Sequence, residues 1–576
     1  MERSEGLEGR DISMTHLLTI AKKHKLLIVI FIVMGIAWTF MLNFVPFYFQ
    51  TVVDSFTDGT LTVANIVVYG TALISLYTMT YLYNYPERKL EHSITLSLKL
   101  AALRKLSVID YLSYVKLGTG TLIQRIENGS QAGSNILFGF YLRLFGELLP
   151  TMIFSVIFVF AINRAVVLSI IVGYVIVFIV SNLLLKALYK VKERILVNEE
   201  KFNHYLVRGF MEMVVFRVNR RFAREIHKTE AASREIVSST VKVRMVHEAF
   251  FTIFAVLVGF VKIGIIIYGW TTGSLSIGQI VALIMLVDNA YQPIAVFNVV
   301  FIQYKLDKIA FGRYAEFLDA KDDDRHKQGE VIPELAGNIS FINVCFGYNG
   351  REIFSDFNLA INKGESIAFV GESGSGKSTA VKLMVGLLQP HNGVITIDGF
   401  DIKNVNLNSY YKSIAYLPQE PSVFDGTLRE NLVFDEDVDD AKIINVIKEV
   451  GLYSLFSKLE KGLDTPLGER GVTLSGGERQ QLALARLWFS KAQIIVLDEA
   501  TSAIDNLTEE AVIKNVMALL QGKTVIAIAH RLDSIKVFDN IIVFHNGRIA
   551  EQGKFAKLID KGQLFYDLYN RLQLDV

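Results

Sequence analysis

Gly371-Glu372-Ser373-Gly374-Ser375-Gly376-Lys377-Ser378-Thr379 decides how this chain is read. The stretch fits G-x-x-x-x-G-K-[ST] and follows a short apolar run, Ser366 to Val370, that has the length of a buried strand. A helix is expected directly behind it, from Thr379 to Leu388. Strand, glycine loop and helix together form a phosphate cradle. Gly371, Gly374 and Gly376 allow backbone N–H groups to close on an anion, and the helix N-terminus adds positive potential. Ser373, Ser375 and Thr379 complete the loop. Lys377 is placed to reach β- and γ-phosphates, and the Ser378 hydroxyl to hold Mg²⁺.

Working outward, the run Ile494-Ile495-Val496-Leu497-Asp498-Glu499 reads as a central parallel strand with two carboxylates at its carboxyl end. Open α/β sheets bind their ligands at that end. Asp498 is the candidate to orient Mg²⁺, and Glu499 the candidate general base on an attacking water. Gln419, in Leu417-Pro418-Gln419-Glu420, is a candidate Mg²⁺ ligand that senses the γ-phosphate. His530 ends a similar strand, Val525 to Ala529, and points to the same edge. Tyr348 has the place and the ring to stack on an adenine. Taken singly, Tyr348, Gln419 and His530 are ordinary residues, and the glycine loop gives them meaning.

Composition divides the 576 residues into two halves. Residues 26 to 310 hold long apolar runs, whereas residues 315 to 576 have the mixed composition of a water-soluble domain. A formal net charge of +1 argues against a nucleic-acid binder. The single cysteine, Cys345, excludes an intrachain disulfide framework and fits a reducing cytosol. Six runs approach the roughly 20 residues that a bilayer requires. They are Leu26–Gln50, Val63–Tyr85, Ile136–Ala161, Ala165–Leu188, Ala249–Trp270 and Ile277–Val300, and the first is too long for a signal peptide.

The segments Asp54–Thr62 and Thr271–Ser276 contain no Lys or Arg, and the third short connection carries only Arg164. Lysines and arginines concentrate in 86–135 and 189–248 and at Lys22, Lys23 and Lys25. The positive-inside rule therefore places these basic segments and both termini in the cytoplasm. Helical spacing such as Leu90-x-x-x-Ile94-x-x-x-Leu98 extends the membrane helices beyond the bilayer. Short breaks at Asp110–Lys116 and Gly209–Arg217 suit transverse contact helices. The expected domains are a cytoplasmic segment at 1–25, a membrane domain at 26–313, a charged linker at 314–336 and an α/β P-loop domain at 337–576.

With these residues in place, the chain resembles an ATP-binding cassette (ABC) transporter of the exporter type, a half-transporter with six membrane helices and one nucleotide-binding domain. The resemblance rests on Gly371–Thr379 (Walker A), Gln419 (Q-loop) and Leu474-Ser475-Gly476-Gly477-Glu478-Arg479-Gln480 (signature). It also rests on Ile494–Glu499 (Walker B), Ser502-Ala503-Ile504-Asp505 (D-loop), His530 (switch histidine) and the X-loop-like Gly468-Glu469-Arg470-Gly471. It implies ATP and Mg²⁺ as cofactors, ATP hydrolysis coupled to alternating access, and a bacterial cell membrane as the location. It further implies a dimer, a homodimer by preference, in which Ser475, Gly476, Gly477 and Glu478 of one copy complete the ATP site of the other. Two departures stand out: Glu478 where glutamine is commonest and Ile504 where leucine is usual. The carboxylate of Glu478 is expected near the ribose.

Cargo is the open question. Arg143, Glu147, Lys262, Asp288 and Asn289 are polar residues inside membrane spans, where they either pair helices or face a cavity. Export of a peptide or amphipathic small molecule is the expectation, with a lipid or lipid-linked sugar flippase as the serious alternative. An importer or a non-transporting channel are the remaining readings. No peptidase domain is expected before the first span.

Overall fold

The computed structural model describes residues 5–117, 119–348, 350–434, 438–468, 474–504, 506–529 and 534–574. It forms two compact units. One is Met1–Ser107 with Leu117–Ala320, and the other is Val108–Lys116 with Lys321–Val576.

The first unit is helical. Its elements begin with α1 (Glu5–Lys23), α2 (Lys25–Thr57) and α3 (Val63–Leu106), followed after the excursion of α4 (Tyr111–Leu117) by α5 (Thr119–Ser134). Two π-helical segments, Asn135–Leu142 and Leu144–Leu148, lead into α6 (Leu149–Ile162). Then come α7 (Arg164–Met211), α8 (Met213–Val218), α9 (Phe222–Thr272) and α10 (Ile277–Leu318). Five described helical stretches are long and apolar enough to cross a membrane: Lys25–Thr57, Val63–Leu106, Leu122–Ile162, Phe222–Thr272 and Ile277–Leu318. The expected fourth span lies in α7, whose apolar described stretch is Arg164–Ile176.

Helix lengths fit extension beyond the bilayer. The 51 residues of α9 rise about 76 Å at 1.5 Å each, against roughly 30 Å of hydrocarbon. Asn163 alone separates α6 from α7, and its side chain accepts from the N–H groups of Ala165 and Val166. That cap satisfies first-turn donors which membrane lipid cannot. The second break falls at Glu212, and the short helix Met213–Val218 overlaps the expected Gly209–Arg217. The polar N-terminal segment is itself helical and packs Leu17 into this unit, with His16 bonded to Asp319 at 2.8 Å.

The second unit begins with an antiparallel sheet and a mixed one. Its first elements are β1 (Ile339–Tyr348), β2 (Arg351–Ile361), β3 (Ser366–Gly371), α11 (Lys377–Met384), β4 (Asn392–Ile397), β5 (Phe400–Asp401), α12 (Leu407–Tyr410) and β6 (Ile414–Leu417). A helical insertion follows, with α13 (Leu428–Val433), α14 (Asp440–Glu449), α15 (Tyr453–Phe456) and α16 (Gly476–Ala485). The chain closes with β7 (Ile494–Asp498), α17 (Asn506–Leu519), β8 (Thr524–Ile528), β9 (Asn540–His545), β10 (Arg548–Gly553), α18 (Phe555–Lys561) and α19 (Leu564–Leu574). Strand order is β2-β1-β4-β5 in one sheet and β10-β9-β3-β8-β7-β6 in the other. Strands β9, β3, β8, β7 and β6 run parallel. Every residue of β7 and β8 is buried, which explains their unbroken apolar runs.

The expected charged linker after α10 is partly built into this unit from Lys321 onward. Arg325 is only 6% exposed and bonds Asp323 bidentately, Gly386 O at 2.7 Å and Ile402 O at 3.2 Å. A buried guanidinium holds here because its donors meet a carboxylate and two carbonyls. Ile332 and Leu335 follow it into the core. Helix α4 also belongs here: Asp110 N–H donates to Lys321 O at 2.9 Å, and Lys382 lies over the Tyr111 ring.

Candidate nucleotide site

Strand β3 delivers the glycine loop to the carboxyl edge of the parallel sheet, and α11 leaves from it. Gly371 has φ +149°, and a Cβ there would lie 2.3 Å from the Phe544 carbonyl, so no side chain fits. Gly374 and Gly376 also have positive φ. Lys377, 6% exposed, folds back over the loop and donates to Gly371 O at 2.7 Å and Glu372 O at 3.0 Å. Burial pulls its pKa below the usual lysine value, against the opposing pull of Glu499 and Asp498. The Ser375 hydroxyl is buried with no partner. A buried, unpartnered donor in a glycine cradle, beside an ammonium and a free helix N-terminus, fits phosphate oxygens.

Both acidic residues stand at the end of β7. Asp498 is 9% exposed, and the Tyr416 hydroxyl donates to its Oδ2 at 3.2 Å. Glu499 takes the left-handed conformation, φ +51°, which costs a non-glycine residue of order 1 kcal/mol and occurs chiefly at functional sites. Three contacts hold it there. Its N–H donates to Ile528 O at 3.1 Å, Gln419 Nε2 donates to its Oε2 at 2.7 Å, and Gln480 Nε2 donates to its carbonyl at 3.3 Å. Gln419, Asp498 and Glu499 therefore meet around one edge. With exposed Ser378 on α11, the oxygen donors suit a hard divalent cation that shares its shell with substrate phosphates. When bound, Mg²⁺ would neutralise charge developing on the phosphoryl oxygens.

The signature forms the N-terminus of α16. Ser475 caps the helix: its hydroxyl accepts from Glu478 N–H at 3.3 Å, and Glu478 Oε2 accepts from Ser475 N–H at 2.7 Å. The departure at Glu478 thus completes a reciprocal capping box. Gln480, the last residue of the signature, was given no role of its own from the sequence and is 3% exposed. Besides Glu499 it bonds Ser502 Oγ at 3.1 Å and accepts from Ala503 N–H at 2.8 Å. Ile504 is buried in the core.

Tyr348 closes β1 opposite Arg351, with its ring edge-on to Phe346 at 5.0 Å. His530, Asp505 and the X-loop residues Glu469, Arg470 and Gly471 lie outside the described residues. The membrane residues fall in three places. Lys262 pairs with Asp288 at 2.7 Å, Arg143 Nε with Glu147 at 2.8 Å, and Asn289 Nδ2 donates to Leu42 O at 3.1 Å.

Comparison with known proteins agrees with this geometry. A family model described as "ABC transporter" matches residues 354–502. A solved bacterial Atm1-family ABC exporter, determined with ATP bound, has a TM-score of 0.81 and 25% identity. The match covers 96% of this chain and 99% of that one. Residues 354–502 thus match the ABC transporter family model, and the whole chain is similar to an ABC exporter. It has the exporter-type fold, a polytopic helical membrane domain joined to an α/β nucleotide-binding domain. YwjA of Bacillus subtilis, an uncharacterised ABC transporter ATP-binding protein, is 36% identical over 346 residues, 59% of each chain. The leukotoxin translocation ATP-binding protein LktB of Mannheimia haemolytica is 36% identical over 308 residues, 53% of this chain and 43% of LktB. ABC transporter B family member 14 of Arabidopsis thaliana is 39% identical over 261 residues, 43% of this chain and 21% of that protein. The chain therefore spans between 21% and 59% of the length of these curated relatives. It is a multi-pass membrane protein.

Proposed function

We propose that the chain is an ATP-driven exporter that works by alternating access and moves a peptide or amphipathic small molecule out of the cytoplasm. The observation that carries the ATPase reading is Glu499, held at φ +51° at the end of β7 with its carboxylate bonded to Gln419. A fixed carboxylate beside a phosphate cradle is what a water-activating base requires. Lys377, Ser375 and the glycines bind phosphate, Asp498 and Ser378 hold Mg²⁺ with Gln419, and His530 reaches the γ-phosphate. Tyr348 stacks on the adenine.

Gly476 and Gly477 offer first-turn N–H groups on α16 beside the Ser475 hydroxyl, an anion site without a Walker A of its own. The reading is a homodimer in which each signature closes on the ATP of the other copy. Helix α4 packs on the nucleotide-binding unit while the helices on either side of it belong to the membrane unit. With Gly209–Arg217, it transmits closure of the nucleotide domains to the spans. Both termini are cytoplasmic and the membrane is a bacterial plasma membrane.

The cargo class is supported by the pair Lys262–Asp288 in the last two spans and by the name of LktB, which translocates a leukotoxin. ATPase activity of the chain in lipid vesicles, screened with peptides, amphipathic compounds and lipids, tests the proposal. Stimulation by lipids alone would favour the flippase reading, and no ATP hydrolysis under any condition would overturn the exporter.

A further inference from the structure

Strand β6 and the loop that follows it carry two side-chain donors three residues apart, and each meets one of the adjacent acids at the end of β7. Gln419 donates to Glu499 at 2.7 Å, and Tyr416 donates to Asp498 Oδ2 at 3.2 Å. The glutamine belongs to a motif visible in the sequence; the tyrosine belongs to none. Tyr416 is half-buried and is pressed against the core that also receives Tyr111 and Leu112 of α4. Its phenol lies within electrostatic reach of both Asp498 and Tyr111.

Asp498 needs such a donor. At 9% exposure its carboxylate has lost most of its water, and an ionised group there is costly unless hydrogen bonds replace what was lost. A donor to one oxygen also fixes the carboxylate plane. Outer partners that orient a ligating group typically account for 10–100-fold in metal affinity.

We propose that Tyr416 is a positioning residue for Mg²⁺, its hydroxyl holding the Asp498 carboxylate in the orientation that takes the cation. The inference rests on the Mg²⁺·ATP site described above.

Its test is equilibrium binding of ATP to the full-length chain in detergent, measured in EDTA and across a Mg²⁺ titration. For Tyr416→Phe, affinity in EDTA stays at the wild-type value, while the gain in affinity that Mg²⁺ brings falls about tenfold. In an Asp498→Asn background the same substitution has no further effect, because the group it acts on is gone. A packing role would instead lower affinity in EDTA and persist beside Asp498→Asn, and either result overturns the proposal. A wild-type Mg²⁺ response in Tyr416→Phe overturns it as well. A wild-type chain whose ATP affinity ignores Mg²⁺ would sink the metal site itself, and this inference with it.

Discussion

Gln419 Nε2 donates to Glu499 Oε2 across 2.7 Å, joining the loop after the edge strand β6 to the acidic end of β7. The bond fixes the carboxylate while the left-handed backbone aims it out of the sheet. Glu499→Gln preserves size and shape but removes the base. Phosphate release should fall by about 10²–10⁴-fold, the usual worth of a positioned general base, while ATP binding remains. Gln419→Ala frees the carboxylate without neutralising it and should cost less. Wild-type phosphate release from Glu499→Gln would remove Glu499 from the base role.

Much of this site was legible because its chemistry demands unusual residues at fixed spacing. Glycines at 371, 374 and 376 and two acids after four apolar residues have few other uses. What pairs with those groups was hidden, since Tyr416 and Gln480 act through contacts between strands distant in sequence. Either residue alone reads as ordinary core or surface. The helical spans were read from apolar length, which located one end of several helices: α3 and α10 start at the expected Val63 and Ile277 but run on to Leu106 and Leu318. The stretch Asp319–Arg325 reads as a linker from its charge, and its burial was not legible: a bidentate Arg325–Asp323 pair with two further carbonyl acceptors satisfies the guanidinium. Pairing of that kind is invisible until the fold brings Gly386 and Ile402 to Arg325.

Asp398 gives a pH-dependent prediction. Burial raises its pKa, but N–H groups of Gly337, Asn338 and Ala336 and the Asn338 amide donate to it and win, so the net shift is downward. A carboxylate with a depressed folded pKa stabilises above its unfolded value, about 3.9, and loses that contribution as pH falls through the lower folded value. Asp398→Asn should therefore be less stable by about 1 kcal/mol at pH 7, a figure kept small because the group is partly solvated. The gap to wild type should close below about pH 4 in thermal unfolding of the full chain. A gap that stays constant from pH 7 to pH 3 would contradict the charge-based account.

Asp54 bridges α2 and the start of α10. Its Oδ2 accepts from the Ser276 hydroxyl at 2.6 Å and its Oδ1 from Gly278 N–H at 2.8 Å. Asp54→Ala removes a helix cap and should cost about 1 kcal/mol. Gly278→Ala should cost about 1–3 kcal/mol, because overpacking is hard to relieve against backbone. Its new methyl would lie 2.3 Å from Gln50 O and 2.7 Å from Asp54 Oδ1. Thermal unfolding in detergent reads both, and a Gly278→Ala midpoint equal to wild type would mean the two helices separate freely there.

Lys262 and Asp288 separate two accounts of the membrane charges. Their side chains meet at 2.7 Å yet are 28% and 56% exposed within the chain, so the pair is open on one side. If it only joins α9 to α10, exchanging the residues (Lys262→Asp with Asp288→Lys) restores the attraction and with it transport. If the open side faces cargo, the exchange places each charge against the wrong part of the ligand. Under the cargo account, Lys262→Ala, Asp288→Ala and the exchanged variant should each weaken cargo stimulation of ATP hydrolysis by at least about tenfold in half-saturating concentration. That corresponds to about 1.4 kcal/mol of lost binding. Recovery in the exchanged variant alone would assign the pair to helix packing, because only a contact between the two side chains is indifferent to which helix carries which sign.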